Sequence, residues 1–150
     1  MPDLGTEYLG FQLPNPIIAS SSPLAERLEE LRRLEDAGVS AVVLHSLFEE
    51  QINLESHDLD NYLTHGAESY QEATSYFPEL STAMGPSTYL EHVARVKKAL
   101  RIPVIASLNG ASPGGWTRYA KRMEEAGADA IELNVYFVPT DPGMTSAAVE

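Results

Sequence analysis

The chain contains no cysteine, only one tryptophan, and less than half as many basic residues as acidic ones. Without thiols there can be no disulfide framework and no thiolate metal site, and a reducing compartment suits such a composition. Ten Lys and Arg against 22 Asp and Glu leave a net charge of −12 and a pI near 4.6. A surface this acidic repels phosphate backbones and anionic headgroups, so nucleic-acid and membrane partners are not expected. No apolar run approaches the roughly 20 residues that span a bilayer, and the acidic start lacks the basic region of a signal peptide. A cytoplasmic protein with a small-molecule ligand is the expectation. At 150 residues and 43% hydrophobic content, the chain can bury one domain's core.

What is present is a repeat. NPIIASSSPLAERLEELRRLEDAGVSAVVLHS, from Asn15 to Ser46, is answered by IPVIASLNGASPGGWTRYAKRMEEAGADAIELNV, from Ile102 to Val135. Pro16 matches Pro103 at an offset of 87, Gly38 matches Gly127 at 89, and Ser22-Pro23 matches Ser112-Pro113 at 90. So steady an offset marks an internal repeat. Each copy reads as strand, helix, strand, with a crossover long enough to make its two strands parallel. In each a Ser is placed to cap the helix, a Pro follows it, and a Gly closes the helix in the left-handed conformation.

Strand one is expected over Pro16–Ser20, strand two over Ala41–Leu44, strand three over Ile102–Leu108 and strand four over Ala130–Val135. Ahead of them, Thr6 to Leu13 alternates as a small β-hairpin turning at Leu9-Gly10. Leu24, Leu28, Leu31 and Leu34 form the apolar stripe of the first helix. Thr88-x-x-Glu91 reads as a capping box for a helix whose stripe is Tyr89, Val93, Val96 and Leu100. Between these lies Leu47 to Gly85, 39 residues with eight carboxylates and no Lys or Arg. An insert this long after strand two reads as a lid or contact surface, and a homodimer would use it. Near-duplicate β/α units, four in all, suit the N-terminal half of a TIM (β/α)8 barrel, which normally takes about 250 residues. The helix starting near Thr145 or Ser146 reads as cut short, so the C-terminal half is expected to lie beyond residue 150.

Ligands of parallel α/β sheets gather beyond the carboxyl ends of the strands. This selects Ser20, Ser21, His45, Ser46, Ser107, Asn109, Asn134 and Tyr136. His45 reads as a proton donor, a ring contact or a structural imidazole. No metal is expected, because the spacing of His57, Asp58, Asp60 and His65 matches no ligand motif. Gly110, Gly114 and Gly115 give only part of a phosphate-binding glycine pattern.

YLGFQLPNPIIASSSPL, RRLEDAGVSAVVLHSLFEEQI, IPVIASLNGASPGGW and EEAGADAIELNVYFVPTDP together resemble the dihydroorotate dehydrogenase family, the FMN-dependent (β/α)8 oxidoreductases. The resemblance implies that FMN rests over the strand ends, held by Ala19, Ser20, Ser46, Asn109 and Asn134, with its phosphate on strands beyond residue 150. These 150 residues alone are therefore not expected to retain it. The family's ring-facing Lys corresponds to His45 here. Its Cys or Ser base corresponds to Phe137, which cannot take a proton, leaving Tyr136, Thr140 or His45 as the expected carriers. Met84-Gly85 resembles part of the family's substrate loop. The resemblance implies hydride transfer from a small planar substrate to FMN, as in pyrimidine biosynthesis. A barrel lyase or isomerase on a phosphorylated metabolite and a non-catalytic flavin or partner-binding barrel are the alternatives.

Overall fold

A computed structural model of the chain describes residues 3–49, 51–52, 85–110, 116–135 and 143–149. Leu9 and Gly10 both take positive φ, 51° and 80°, the geometry whose twist matches paired strands in a two-residue turn. They join β1 (Thr6–Tyr8) to antiparallel β2 (Phe11–Leu13). The hairpin is where the alternation placed it, and Leu13 is its buried anchor.

Four strands follow in one parallel sheet, side by side in chain order: β3 (Ile18–Ala19), β4 (Ala41–Phe48), β5 (Val104–Gly110) and β6 (Ala130–Val135). Two of them start later than the apolar runs suggest, because proline and side chains intercept the ladder. Pro16 has no N–H to give, and the Ile17 N–H goes to Asn15 Oδ1 at 3.0 Å. Arg101 and Ile102 both donate their N–H groups to Glu35 Oε1, at 2.7 and 3.3 Å, ahead of Pro103. β4 runs four residues past its expected end at Leu44.

The first helix is corrected more deeply. A 3₁₀ turn over Pro23–Glu26 precedes α1 (Leu28–Asp36), and Arg27 breaks them apart with extended angles of φ −109° and ψ 120°. Ser22 makes no capping bond through its side chain. With three residues per turn the phase shifts, so Ala25 takes the buried position and Leu24 is 52% exposed. The next helix, α2 (Pro86–Ala99), has Gly85 at its N-cap and Pro86 inside its first turn, which puts Thr88 within the helix and removes the expected capping box. Its stripe holds: Tyr89, Val93, Val96 and Leu100 are all buried. α3 (Thr117–Glu125) and α4 (Ser146–Val149) follow. Ser112-Pro113 and nearly all of the acidic insert, with His57, Asp58, Asp60 and His65, lie outside the described residues.

The repeat survives at the level of single hydrogen bonds. Gly38 and Gly127 take φ of 95° and 101°, which a Cβ would oppose. Behind them Val39 N–H reaches Leu34 O and Ala128 N–H reaches Met123 O, closing both helices in the same way. Two residues beyond each glycine, Ser40 N–H bonds Ile17 O at 2.8 Å and Asp129 N–H bonds Val104 O at 2.9 Å.

Alternation then divides the sheet. Val42, Leu44, Val104, Ala106 and Leu108 join Leu31, Tyr89, Val93, Val96, Tyr119 and Met123 in the helix-side core. The opposite face carries Ser107 beside Glu132 and Asn109 beside Asn134. A four-stranded parallel α/β sheet with its helices packed on one face is what part of a barrel would show. Among the described residues no helix is long and apolar enough to cross a membrane.

Candidate functional site

The site begins with an irregularity in β4. Val43 stands opposite Ile105 and Ser46 opposite Ser107, so three steps on β4 span two on β5. One extra residue in one strand is a β-bulge, and it reverses the side from which the following residues project. The bulge returns Ser46 to the face of Ser107. His45 goes the other way: its ring lies edge-on to Tyr89, with centroids 4.9 Å apart, and 5.8 Å from that of His92. Both partners are on the packed side of α2. The expectation that His45 lines the mouth and polarises a flavin ring is therefore corrected, since strict alternation along β4 does not hold.

Tyr89 reaches β5 beside the bulge. Its hydroxyl donates to Ser107 O at 3.2 Å and accepts the Ser107 N–H at 3.0 Å. Burial pushes the phenol far above its ordinary range. His92 is held in one neutral tautomer: Nδ1 accepts from Arg95 Nη2 at 3.2 Å, so Nε2 carries the proton donated to Ala25 O at 2.8 Å. Burial holds the imidazoles of His92 and His45 below their usual pKa; His45 is further lowered by His92, with Glu26 opposing both shifts. The His45 Nδ1 atom is buried without a hydrogen-bond partner among the described residues.

On the opposite face, polar side chains form a connected chain. Ser107 Oγ donates to Glu132 Oε1 at 2.8 Å, and Ser46 Oγ lies 2.8 Å from Ser107 Oγ. An ionised carboxylate can only accept. The Ser107 proton is therefore committed to Glu132, and Ser46 must donate to Ser107. Asn134 Nδ2 donates to Glu132 Oε1 at 3.1 Å and stands 3.4 Å from Ser107 Oγ. Ser21 Oγ is 3.5 Å from Ser46 Oγ, at the limit of a hydrogen bond.

One step nearer the carboxyl ends, Asn109 on β5 is in register with Asn134 on β6. Asn109 Oδ1 is buried and has no hydrogen-bond partner among the described residues. An orphaned buried acceptor costs about 1–3 kcal/mol, and a ligand's N–H would recover it. Ser20 is exposed just beyond β3, whereas Ala19 packs against the helix-side core and could meet a ligand only through its backbone. Tyr136 and Phe137 lie outside the described residues. Of the expected site residues, then, Ser46, Asn109 and Asn134 come together on one face, and His45 does not. Glu132 was missed by sequence reading, although a carboxylate two residues before Asn134 in AIELNV must share its face if the segment is a strand.

Comparison with known proteins bears on the same segments. The chain is 30% identical over 135 residues, 90% of its length, to the catalytic subunit of dihydroorotate dehydrogenase B (NAD⁺) of Thermoplasma volcanium. The chain is dihydroorotate dehydrogenase-like. The corresponding subunit of Thermoplasma acidophilum is 28% identical over 140 residues, again 90% of the chain. The NAD-dependent dihydropyrimidine dehydrogenase subunit PreA of Escherichia coli K12 is 28% identical over 152 aligned positions that take in 98% of the chain. No family model matches the chain. This dihydroorotate dehydrogenase-like chain spans 42% of the length of each Thermoplasma relative and 34% of PreA.

Proposed function

We propose that the protein is an FMN-dependent oxidoreductase of the dihydroorotate dehydrogenase type, in which the described sheet is the N-terminal portion of a (β/α)8 barrel. Asn109 carries the reading. A side-chain amide with a buried, unpartnered oxygen, next to a second amide on the adjacent strand, suits a flat heterocycle whose edge alternates N–H and C=O groups. Asn109, Asn134 and Ser46 would hold such a ring, with backbone at Ala19 and Ser20 closing its flank. FMN, when bound, supplies the two-electron acceptor that side chains lack. The protein's own part is to orient the ring and a small planar CH–CH substrate, to exclude water and to move the proton. The dehydrogenase relatives support the general kind of reaction.

The test is a visible spectrum of the purified protein at its full encoded length, followed by anaerobic addition of dihydroorotate. A yellow protein that bleaches is expected. A colourless one points instead to a lyase or isomerase and overturns the flavin reading. Asn109→Ala and Asn134→Ala should each weaken flavin retention at least tenfold relative to Asn61→Ala in the acidic stretch. Equal retention in all three would move the flavin elsewhere.

A further inference from the structure

Oxidation of a CH–CH bond removes a hydride from one carbon and a proton from its neighbour. The family resemblance leaves Phe137 where a base is expected, and Tyr136, an expected carrier, lies outside the described residues, so the destination of that proton is sought among the residues that are described. Tyr89 is buried, with its hydroxyl committed to the Ser107 backbone, and His45 faces the helix layer. Neither is on the Asn109 and Asn134 face. Glu132 is, and it is wired to that face through hydroxyls.

We propose that Glu132 is the terminal proton acceptor of the reaction, reached from the substrate through Ser46 and Ser107. This rests on the flavin oxidoreductase reading above. The polarity of the chain is already set for it. Ser107 gives its proton to Glu132 and Ser46 gives its proton to Ser107, which leaves the lone pairs of Ser46 as the free, accepting end. Ser21 Oγ, at 3.5 Å, can donate to one of the two Ser46 lone pairs and leaves the other to accept. In the step, the substrate C–H proton passes to Ser46 Oγ as the Ser46 proton passes to Ser107 and the Ser107 proton to the Glu132 carboxylate. The C–H bonding pair left behind forms the C=C bond as hydride leaves the neighbouring carbon for the flavin. Both hydroxyls end with one proton each, Glu132 ends neutral, and the flavin is reduced by two electrons. Asn134 Nδ2, bonded to Glu132 Oε1 at 3.1 Å, fixes the carboxylate in place. A hydroxyl alone is too weak a base for this task at neutral pH; a hydroxyl is activated by an adjacent base that takes its proton, the place Glu132 fills here.

The experiment compares the full-length wild type with Glu132→Gln, Ser107→Ala and Ser46→Ala. Glutamine keeps an oxygen for the Ser107 hydroxyl but cannot take the proton. Flavin retention should stay within about threefold for Glu132→Gln, while reduction by dihydroorotate, or by 5,6-dihydrouracil if dihydroorotate is inert, slows by about 10²–10⁴. Its acid limb in the pH–rate profile should vanish. Infrared difference spectra on reduction should show a carboxylic-acid C=O stretch, shifted by ¹³C-labelled glutamate, in the wild type and not in Glu132→Gln. Should Glu132→Gln fail to fold, Ser46→Ala carries the test: it leaves Glu132 bonded to Ser107 and Asn134 and should slow reduction to the same degree. A yellow wild type whose Glu132→Gln variant keeps the rate and the acid limb overturns the relay alone. A colourless wild type overturns the flavin reading and the relay together.

Discussion

Tyr89 grips Ser107 by both polar atoms of its backbone, accepting the N–H at 3.0 Å and donating to the C=O at 3.2 Å. A helix side chain thereby holds β5 beside the bulge in β4, at the residue whose own hydroxyl joins Ser46 to Glu132.

Tyr89→Phe keeps the ring and removes the clamp. Two buried backbone groups lose their partner, so the variant should lose about 1–3 kcal/mol. Urea unfolding checks this: the midpoint should fall with little change in slope. An unchanged midpoint would mean that the ladder repairs itself.

Stability should also depend on pH through His45 and His92. Both imidazoles are held below the ordinary value of 6.5 in the folded chain, chiefly by burial. Between that value and the lower folded pKa the unfolded chain binds more protons, so stability is fully present above pH 6.5 and falls as the pH drops below it. The groups facing them are Tyr89, Arg95 and Glu26. His45→Leu should flatten the slope of stability between about pH 7 and pH 5, measured by thermal melts. The same slope in both proteins would assign the effect to other groups.

Gly110 has no room for a side chain. A Cβ there would lie 2.7 Å from Cδ1 and 3.0 Å from Cγ of Trp116. Gly110→Ala should therefore lose about 1–3 kcal/mol by overpacking. Trp116 is the chain's only tryptophan, so its emission should shift in the same variant. In a Trp116→Ala background the alanine should cost less, which a double-mutant cycle would show.

At the far end of β5, Asp129 Oδ2 accepts the Val104 N–H at 2.8 Å, while both carboxylate oxygens lie 2.7 Å from Lys97 Nζ. The ion pair is partly exposed and contributes little. The strand-end hydrogen bond matters more. Asp129→Asn should lose no more than about 0.5 kcal/mol and Asp129→Ala about 1–2 kcal/mol. Equal losses in chemical denaturation would instead give the weight to the charge.

Much of this architecture could be read in advance because it depends on local periods. The hairpin turn at Leu9-Gly10, the stripe Tyr89, Val93, Val96 and Leu100, and the closing glycines Gly38 and Gly127 are each dictated by a few neighbouring residues. Strand and helix starts were read less well. Ser22 and Thr88 look like caps in sequence, yet a 3₁₀ turn at Pro23 and a helix beginning at Pro86 leave both without that role.

The sequence by itself determined that the chain is a duplicated set of parallel β/α units, and that Asn109 and Asn134 stand at the carboxyl ends of its third and fourth strands, because spacing alone sets both. Only the tertiary structure decided that His45 faces the helices while Glu132 joins the ligand face through Ser107. The reason is physical: a single extra residue in β4 inverts the alternation after it, and nothing local in AVVLHSLF marks the place. Beside it Tyr89, 44 residues on in the chain, bonds both backbone groups of Ser107.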